Sequence, residues 1–295
     1  MDDSAKSTGD QVKLDLVVER RVPVIGYVIL FSGLFALASV GAALDLQVGP
    51  SPFMKTLWRQ TATCLVLLPM VYKSFQQEGK PDLEAKEWPM LLVASACYTY
   101  MTLAFVMALE MTTLANAFVL SNMTSLVIIL GRAVLGLPVL PLEGSGAVTG
   151  FLGAAVCAQA QAAKVPILEI GTRMLEVVGP HDNSMAMAGN LVAFSASFGT
   201  AAYLLIAKSL RPKMDLFVFM AIIMGFGAIL LVPVMYLIGE ELTLDRHPDH
   251  GAFGWLNLQA DRLPLELYMA IVCNCLGTTG YIAVMKYFDP IVPGK

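Results

Sequence analysis

Eight stretches of about 20 mostly apolar residues follow one another along the 295-residue chain. They are Pro23–Leu44, Phe53–Tyr72, Trp88–Leu109, Thr113–Leu135, Gly144–Ala163, Met187–Ala207, Leu216–Ile238 and Leu265–Met285. Each is long enough to cross a bilayer as a helix. Inside hydrocarbon only helices and closed barrels satisfy every backbone polar group. The alternating ten-residue segments of a membrane barrel are absent, so the expected fold is an all-α polytopic membrane protein. Composition agrees: 57% of residues are hydrophobic and 14% charged, against about 45–50% and about 25% in soluble domains. A soluble core of this length could not hide so much apolar surface. The net charge of −4 is mild and dispersed, which argues against a nucleic-acid partner.

The breaks carry turn chemistry or charge. Gly49-Pro50-Ser51-Pro52 separates the first two stretches, and the polar run 73–87 separates the second from the third. Longer loops cover 164–186 and 239–264 and hold His181, His247 and His250. No carboxylate or cysteine framework surrounds these histidines, so they read as solvated loop residues and no metal or cofactor is expected. The five cysteines, Cys64, Cys97, Cys157, Cys273 and Cys275, all lie in apolar runs and read as small packing residues. Residues 1–22 are polar, lack a short apolar signal core, and read as a disordered cytoplasmic tail. With the N-terminus inside and the helices alternating, inside positions hold about twice as many Lys and Arg as outside ones, including Arg20, Arg21, Lys73, Arg132, Lys208 and Lys213. The expectation is a multi-pass integral protein with a cytoplasmic N-terminus, in a plasma membrane or an endomembrane.

The chain also repeats itself. Gly26, Phe31, Ser32 and Phe35 match Gly189, Phe194, Ser195 and Phe198 in the pattern G-x4-F-S-x2-F, at an offset of 163. The runs LLPMVY (67–72) and LVPVMY (231–236) match at an offset of 164. That offset spans five helices, and an odd number inverts the second copy in the membrane. Inverted repeats are a recurring device for alternating access, with substrate bound at the midplane between them.

The run ALEMTTLANAFVLSNMTSLVIILGRAVLG at 108–136, followed by LEGSGAVTGFLGAAVCA at 142–158, resembles the EamA-type, solute-carrier-35-like members of the drug/metabolite transporter superfamily. The likeness continues as AVMKYFDPIV at 283–292 and covers roughly residues 23–292. It implies two inverted five-helix repeats. The first would be 23–163, then a loop at 164–186, then an incomplete second repeat at 187–295, giving eight complete spans plus the start of a ninth. Family helices nine and ten would follow Asp289-Pro290, where the sequence reaches Lys295. A chain truncated before its last two helices and a natural eight-helix protein both fit.

Polar groups inside spans are costly and tend to face a cavity or a partner. Asn274, Thr278 and Tyr281 share one helical face at i, i+4, i+7. Ser121 and Ser125 lie in one row with Thr113, flanked by Asn116 and Asn122. Tyr98 and Thr102, Ser32 and Ser39, and Asn190 and Ser197 fall at comparable levels of other helices. The candidate substrate cavity is therefore Ser32, Tyr98, Thr102, Asn116, Ser121, Asn122, Ser125, Asn190, Ser197, Asn274, Thr278 and Tyr281. Interhelical packing is the competing reading for each, since Ser and Thr can satisfy their own helix and Asn can bridge neighbours. Lys55 and Arg59, with Glu110 at the same level, read either as an outer gate or as interfacial anchors. No carboxylate falls mid-span, so no proton relay is expected. Gly146, Gly150 and Gly153 would allow close helix approach, within the chain or in a homodimer.

The function that fits is a secondary transporter moving a small organic metabolite by alternating access, with lipid and solute as its partners. The clustered His, Asp or Glu of a membrane enzyme is lacking, so catalysis is not expected. A non-transporting receptor or scaffold, or an inactive transporter fragment, remains the alternative.

Overall fold

A computed structural model describes residues 24–79, 81, 83–162, 183–258 and 262–284. The N-terminal tail, most of the 164–186 loop with His181, and the stretch around Asp289 lie outside the described residues. Helices are α1 (Val24–Ala38), α2 (Val40–Asp45), α3 (Pro52–Glu78), α4 (Glu87–Met111), α5 (Leu114–Ser121) and α6 (Thr124–Val134). They continue as α7 (Pro141–Ala162), α8 (Asn183–Leu210), α9 (Leu216–Ile238) and α10 (Arg262–Tyr268). A π-helix (Met269–Thr279) then leads into α11 (Gly280–Val284). No strand occurs among the described residues, only an isolated bridge between Thr243 and Gly251.

Helical rods therefore stand at all eight apolar stretches. Their ends follow local chemistry. Ser51 accepts a hydrogen bond from the Met54 N–H and Pro52 opens α3, an N-terminal cap with Pro where no donor is needed. Asp215 caps α9 through the N–H groups of Phe217 and Val218, and Gly239 closes it in the left-handed region at φ 82°. The sequence reading ends the second stretch at Tyr72. The helix runs on to Glu78, because Lys73–Glu78 are competent helix formers whose polarity, not propensity, marked the boundary. The fourth stretch is two helices rather than one. Asn122 donates its side-chain amide to the Phe118 carbonyl at 2.8 Å, a local bond that competes with the helix ladder. The row joining Ser121 to Ser125 therefore crosses a break.

Five helical spans are long and apolar enough to cross a membrane: Val24–Asp45, Glu87–Met111, Leu114–Val134, Ser184–Lys213 and Leu216–Ile238. The molecule is an all-α integral membrane protein. Its outward apolar side chains agree, with Phe35, Val134 and Leu237 at 77%, 86% and 82% exposure; lipid is the natural cover for such a surface. Helix α3 is not among the five. Its first half carries Thr56, Arg59, Gln60 and Thr63, all buried, so its polar side turns into the protein.

The packing is built around α4, which lies along α8 and α9. In addition α3 packs on α9, α5 and α6 pack on α8, and the π-helix packs on α1 and α3. Tyr98, Tyr203, Phe219, Met220 and Met224 form the largest apolar cluster. Glycines permit the closest crossings. A Cβ at Gly189 would come within 2.9 Å of the Met111 carbonyl carbon, one at Gly199 within 3.2 Å of the Cys97 oxygen, and one at Gly277 within 3.3 Å of the Leu37 nitrogen. The 239–258 segment, expected as an open loop, is partly a folded cover. Trp255 is buried there, and the Trp58 indole of α3 donates to the Gly251 carbonyl at 2.8 Å.

Candidate functional site

A cavity of about 770 Å³ opens between α1, α2, α3, α4, α5, α6, α8, the π-helix and α11, a volume typical of small-molecule sites. Apolar side chains dominate its wall, among them Leu34, Leu37, Phe105, Phe118, Ile128 and Leu204. Polar groups converge on it from both halves of the chain: Thr102, Ser121, Asn122, Thr124 and Ser125 from the first, Thr200, Thr278 and Tyr281 from the second. Two cations reach it, Arg59 and Lys208, and no carboxylate lines it among the described residues.

Of the sequence candidates, Thr102, Ser121, Asn122, Ser125, Thr278 and Tyr281 meet at this cavity. The other six lie off it. The Ser32 hydroxyl donates to its own helix at the Ile29 carbonyl (3.1 Å). Tyr98 is in the core, edge-on to Tyr203 at 5.3 Å between ring centres. Asn116 and Asn190 bind each other at 3.4 Å, and the Thr112 hydroxyl donates to Asn190 at 2.7 Å, tying α4, α5 and α8 together. Ser197 of α8 donates to the Leu120 carbonyl at 2.7 Å. These are packing contacts of the kind that polar residues make between membrane helices.

Asn274 has a different role. Its side-chain oxygen accepts from the Arg59 guanidinium twice, at 2.9 Å from Nε and 2.7 Å from the terminal nitrogen. Its amide donates to Thr63 at 2.6 Å. Arg59 is 6% exposed, which corrects its reading as an anchor at the membrane surface: it is a buried cation at the cavity wall. Lys55, one turn earlier, pairs with Glu110 at 3.2 Å. Beside this group, Gln60 donates to Thr99 at 2.9 Å, and the amide of Gln47 donates to Glu266.

Sequence reasoning missed Gln47, Gln60, Thr63 and Glu266. Glu266 is fully buried near the start of segment eight, off the mid-span level at which the sequence shows no carboxylate. A signal existed: Arg59 and Thr63 stand at i, i+4, and Thr56 and Gln60 repeat that spacing beside them. A polar stripe of this kind on an otherwise apolar helix marks an inward face.

Among the described residues no group of three or more His, Cys, Asp or Glu could hold a metal ion. His247 and His250 stack on one another at 5.4 Å between ring centres. The glycines of α7, Gly146, Gly150 and Gly153, face open space within the chain. No sequence model of a protein family, no curated protein and no solved structure matches the chain.

Proposed function

We propose that the chain is a secondary transporter of the EamA-like, drug/metabolite type, moving a small organic metabolite across a membrane by alternating access. The observation that carries this is the cavity, whose wall is contributed by both halves of the chain and whose polar side chains sit in an otherwise apolar lining. Two cations without a lining carboxylate favour a solute that joins an anionic group to an apolar body.

Several contacts support inverted repeats. Ser32 and Ser195, matched at the 163 offset, make the same local bond, to the Ile29 and Val192 carbonyls three residues back. The pairing of α4 with α8 has its counterpart in the pairing of the π-helix with α1, and α3 with α9 is the pair that the pseudo-axis maps onto itself. Each of the first two crossings is closed by a glycine, Gly199 in one and Gly277 in the other. In this reading eight spans cross the bilayer, the N-terminus is cytoplasmic, and the halves rock about the cavity.

The test is uptake by the full chain reconstituted in liposomes, assayed against a metabolite panel rich in organic anions. Saturable, competitor-sensitive flux is expected. Flux that stays at the level of empty liposomes across the panel refutes transport and favours a receptor or scaffold role.

A further inference from the structure

We infer that Glu266 is a proton-binding site whose protonation latches α10 to Gln47, in the segment joining α2 to α3. The link to solute movement rests on the transport reading above; the proton site itself does not.

The geometry is specific. Glu266 of α10 is fully buried. One of its carboxyl oxygens accepts the amide N–H of Gln47, which lies in the segment joining α2 to α3. Its second oxygen, Oε2, has no hydrogen-bond partner among the described residues. Neither has the side-chain oxygen of Gln47. Two side chains in direct contact thus present two buried acceptors and lack one donor. Buried acceptors left unpaired cost roughly 1–3 kcal/mol each. A single proton on the carboxyl supplies the missing donor. An amide and a carboxylic acid then close a reciprocal pair, N–H to carboxyl oxygen and O–H to amide oxygen. The proton comes from water and returns to it, and no other bond changes.

Two cations act on Glu266, Arg59 of α3 and Arg262, one turn earlier on α10. Arg262 is engaged by Asp249 of the covering segment at 2.9 Å and lies over the Trp58 ring. Lys55 is held by Glu110, His250 of the covering segment faces Glu241 at 3.9 Å, and His247 lies beside Asp245 and Asp249. An ionised Glu266 therefore competes with Asn274 for the Arg59 guanidinium, and with Asp249 for Arg262. Loss of the proton breaks the reciprocal pair with Gln47 and pulls both arginines from their present partners. Those partners hold α3 to the π-helix and the 239–258 cover to α10. One proton thereby reaches Arg59 at the cavity wall as well as the 239–258 cover.

Two measurements on the purified full chain test this, and neither needs a transported solute. Infrared difference spectra taken across a pH titration should show a buried protonated-carboxyl band. That band should be absent from Glu266→Gln and displaced, not lost, in Gln47→Leu, which keeps the acid and removes its partner. The second measurement places a cysteine at Ala270, which is fully buried one turn after Glu266, in a background with the native cysteines replaced. Its maleimide labelling rate is divided by that of an exposed control cysteine at Gln76, which removes the thiol's own pH dependence. The ratio should rise by up to about tenfold per pH unit as pH climbs towards the titration point, level off above it, and stay low and flat in Glu266→Gln, whose amide supplies a permanent donor. An infrared band unchanged by Glu266→Gln overturns the proton site. A labelling ratio that ignores pH, or that follows pH equally in Glu266→Gln, overturns the latch. Absent flux with an intact titration refutes the transport reading alone.

Discussion

Replacing Asn274 by leucine should destabilise the fold by about 2–3 kcal/mol, and adding Arg59→Met should return most of that loss. The magnitude follows from what each change strands. Asn274→Leu removes the acceptor of two guanidinium hydrogen bonds, at 2.9 and 2.7 Å, from a cation that is 6% exposed. Neutral hydrogen bonds between membrane helices average about 0.6 kcal/mol, but bonds to a charged group are worth about 1.5–3 kcal/mol. Here the charged case governs, because the guanidinium stays buried after its acceptor is gone. Arg59→Met alone is milder. Asn274 still donates to Thr63 at 2.6 Å, and the Thr63 hydroxyl still donates to the backbone carbonyl of residue 59. With both replaced, no stranded charge remains. The coupling should be about 2 kcal/mol, or roughly 30-fold in the unfolding equilibrium. Denaturant titration of the four purified proteins, followed by tryptophan fluorescence, measures it. Coupling below about 0.5 kcal/mol, the usual limit of additivity, would mean that the Arg59–Asn274 contact does not hold α3 to the π-helix.

Four other outcomes follow from the geometry. Gly189→Val should cost about 1–3 kcal/mol in thermal unfolding, because its Cβ would press on the Met111 backbone, whereas Gly146→Val, which meets open space, should be neutral in the monomer; equal effects would refute the α4–α8 crossing. In the liposome assay Asn122→Ala should lower flux more than Ser39→Ala, since Asn122 lines the cavity while Ser39 donates to its own helix at the Ala36 carbonyl; equal losses would assign Asn122 to packing. Cysteines at Gln76 and Ser209 should react with an impermeant maleimide from the same face of the membrane, and a cysteine at Val48 from the other; Gln76 and Ser209 on opposite faces would end the inverted-repeat topology. The Thr243 hydroxyl, followed by the His247 N–H, holds the Asp245 carboxyl below its usual range. A depressed folded value means that its contribution is complete above the ordinary Asp range, near about 3.9, and is lost as pH falls through the lower folded value. In a Glu266→Gln background, fluorescence of Trp58 and Trp255 should therefore hold steady from neutral pH down to that range and change only below it; a transition near neutral pH that survives Asp245→Asn there would assign the change to another group.

Helix positions were legible because hydrophobic run length and capping residues act locally. Asp215 and Gly239 bound α9 at the residues where the apolar run itself begins and ends. The cavity was half legible. Side chains such as Thr102, Asn122 and Thr278 are polar at helical spacing, and they line it. Asn116, Asn190 and Ser197 carry the same signal yet serve packing. Nothing local separates the two groups, because a side chain's direction depends on which neighbouring helix it meets.

Run length and composition alone set the solvent and the class of fold, because they decide whether backbone groups would be left unpaired in hydrocarbon. Tertiary structure decided the pairings: Arg59 with Asn274, Gln47 with Glu266, and the covering segment with Trp58. The Arg59 and Glu266 contacts join residues more than 200 positions apart. A buried charge is tolerated only beside the groups that answer it, and the packing of rods against one another chooses those groups.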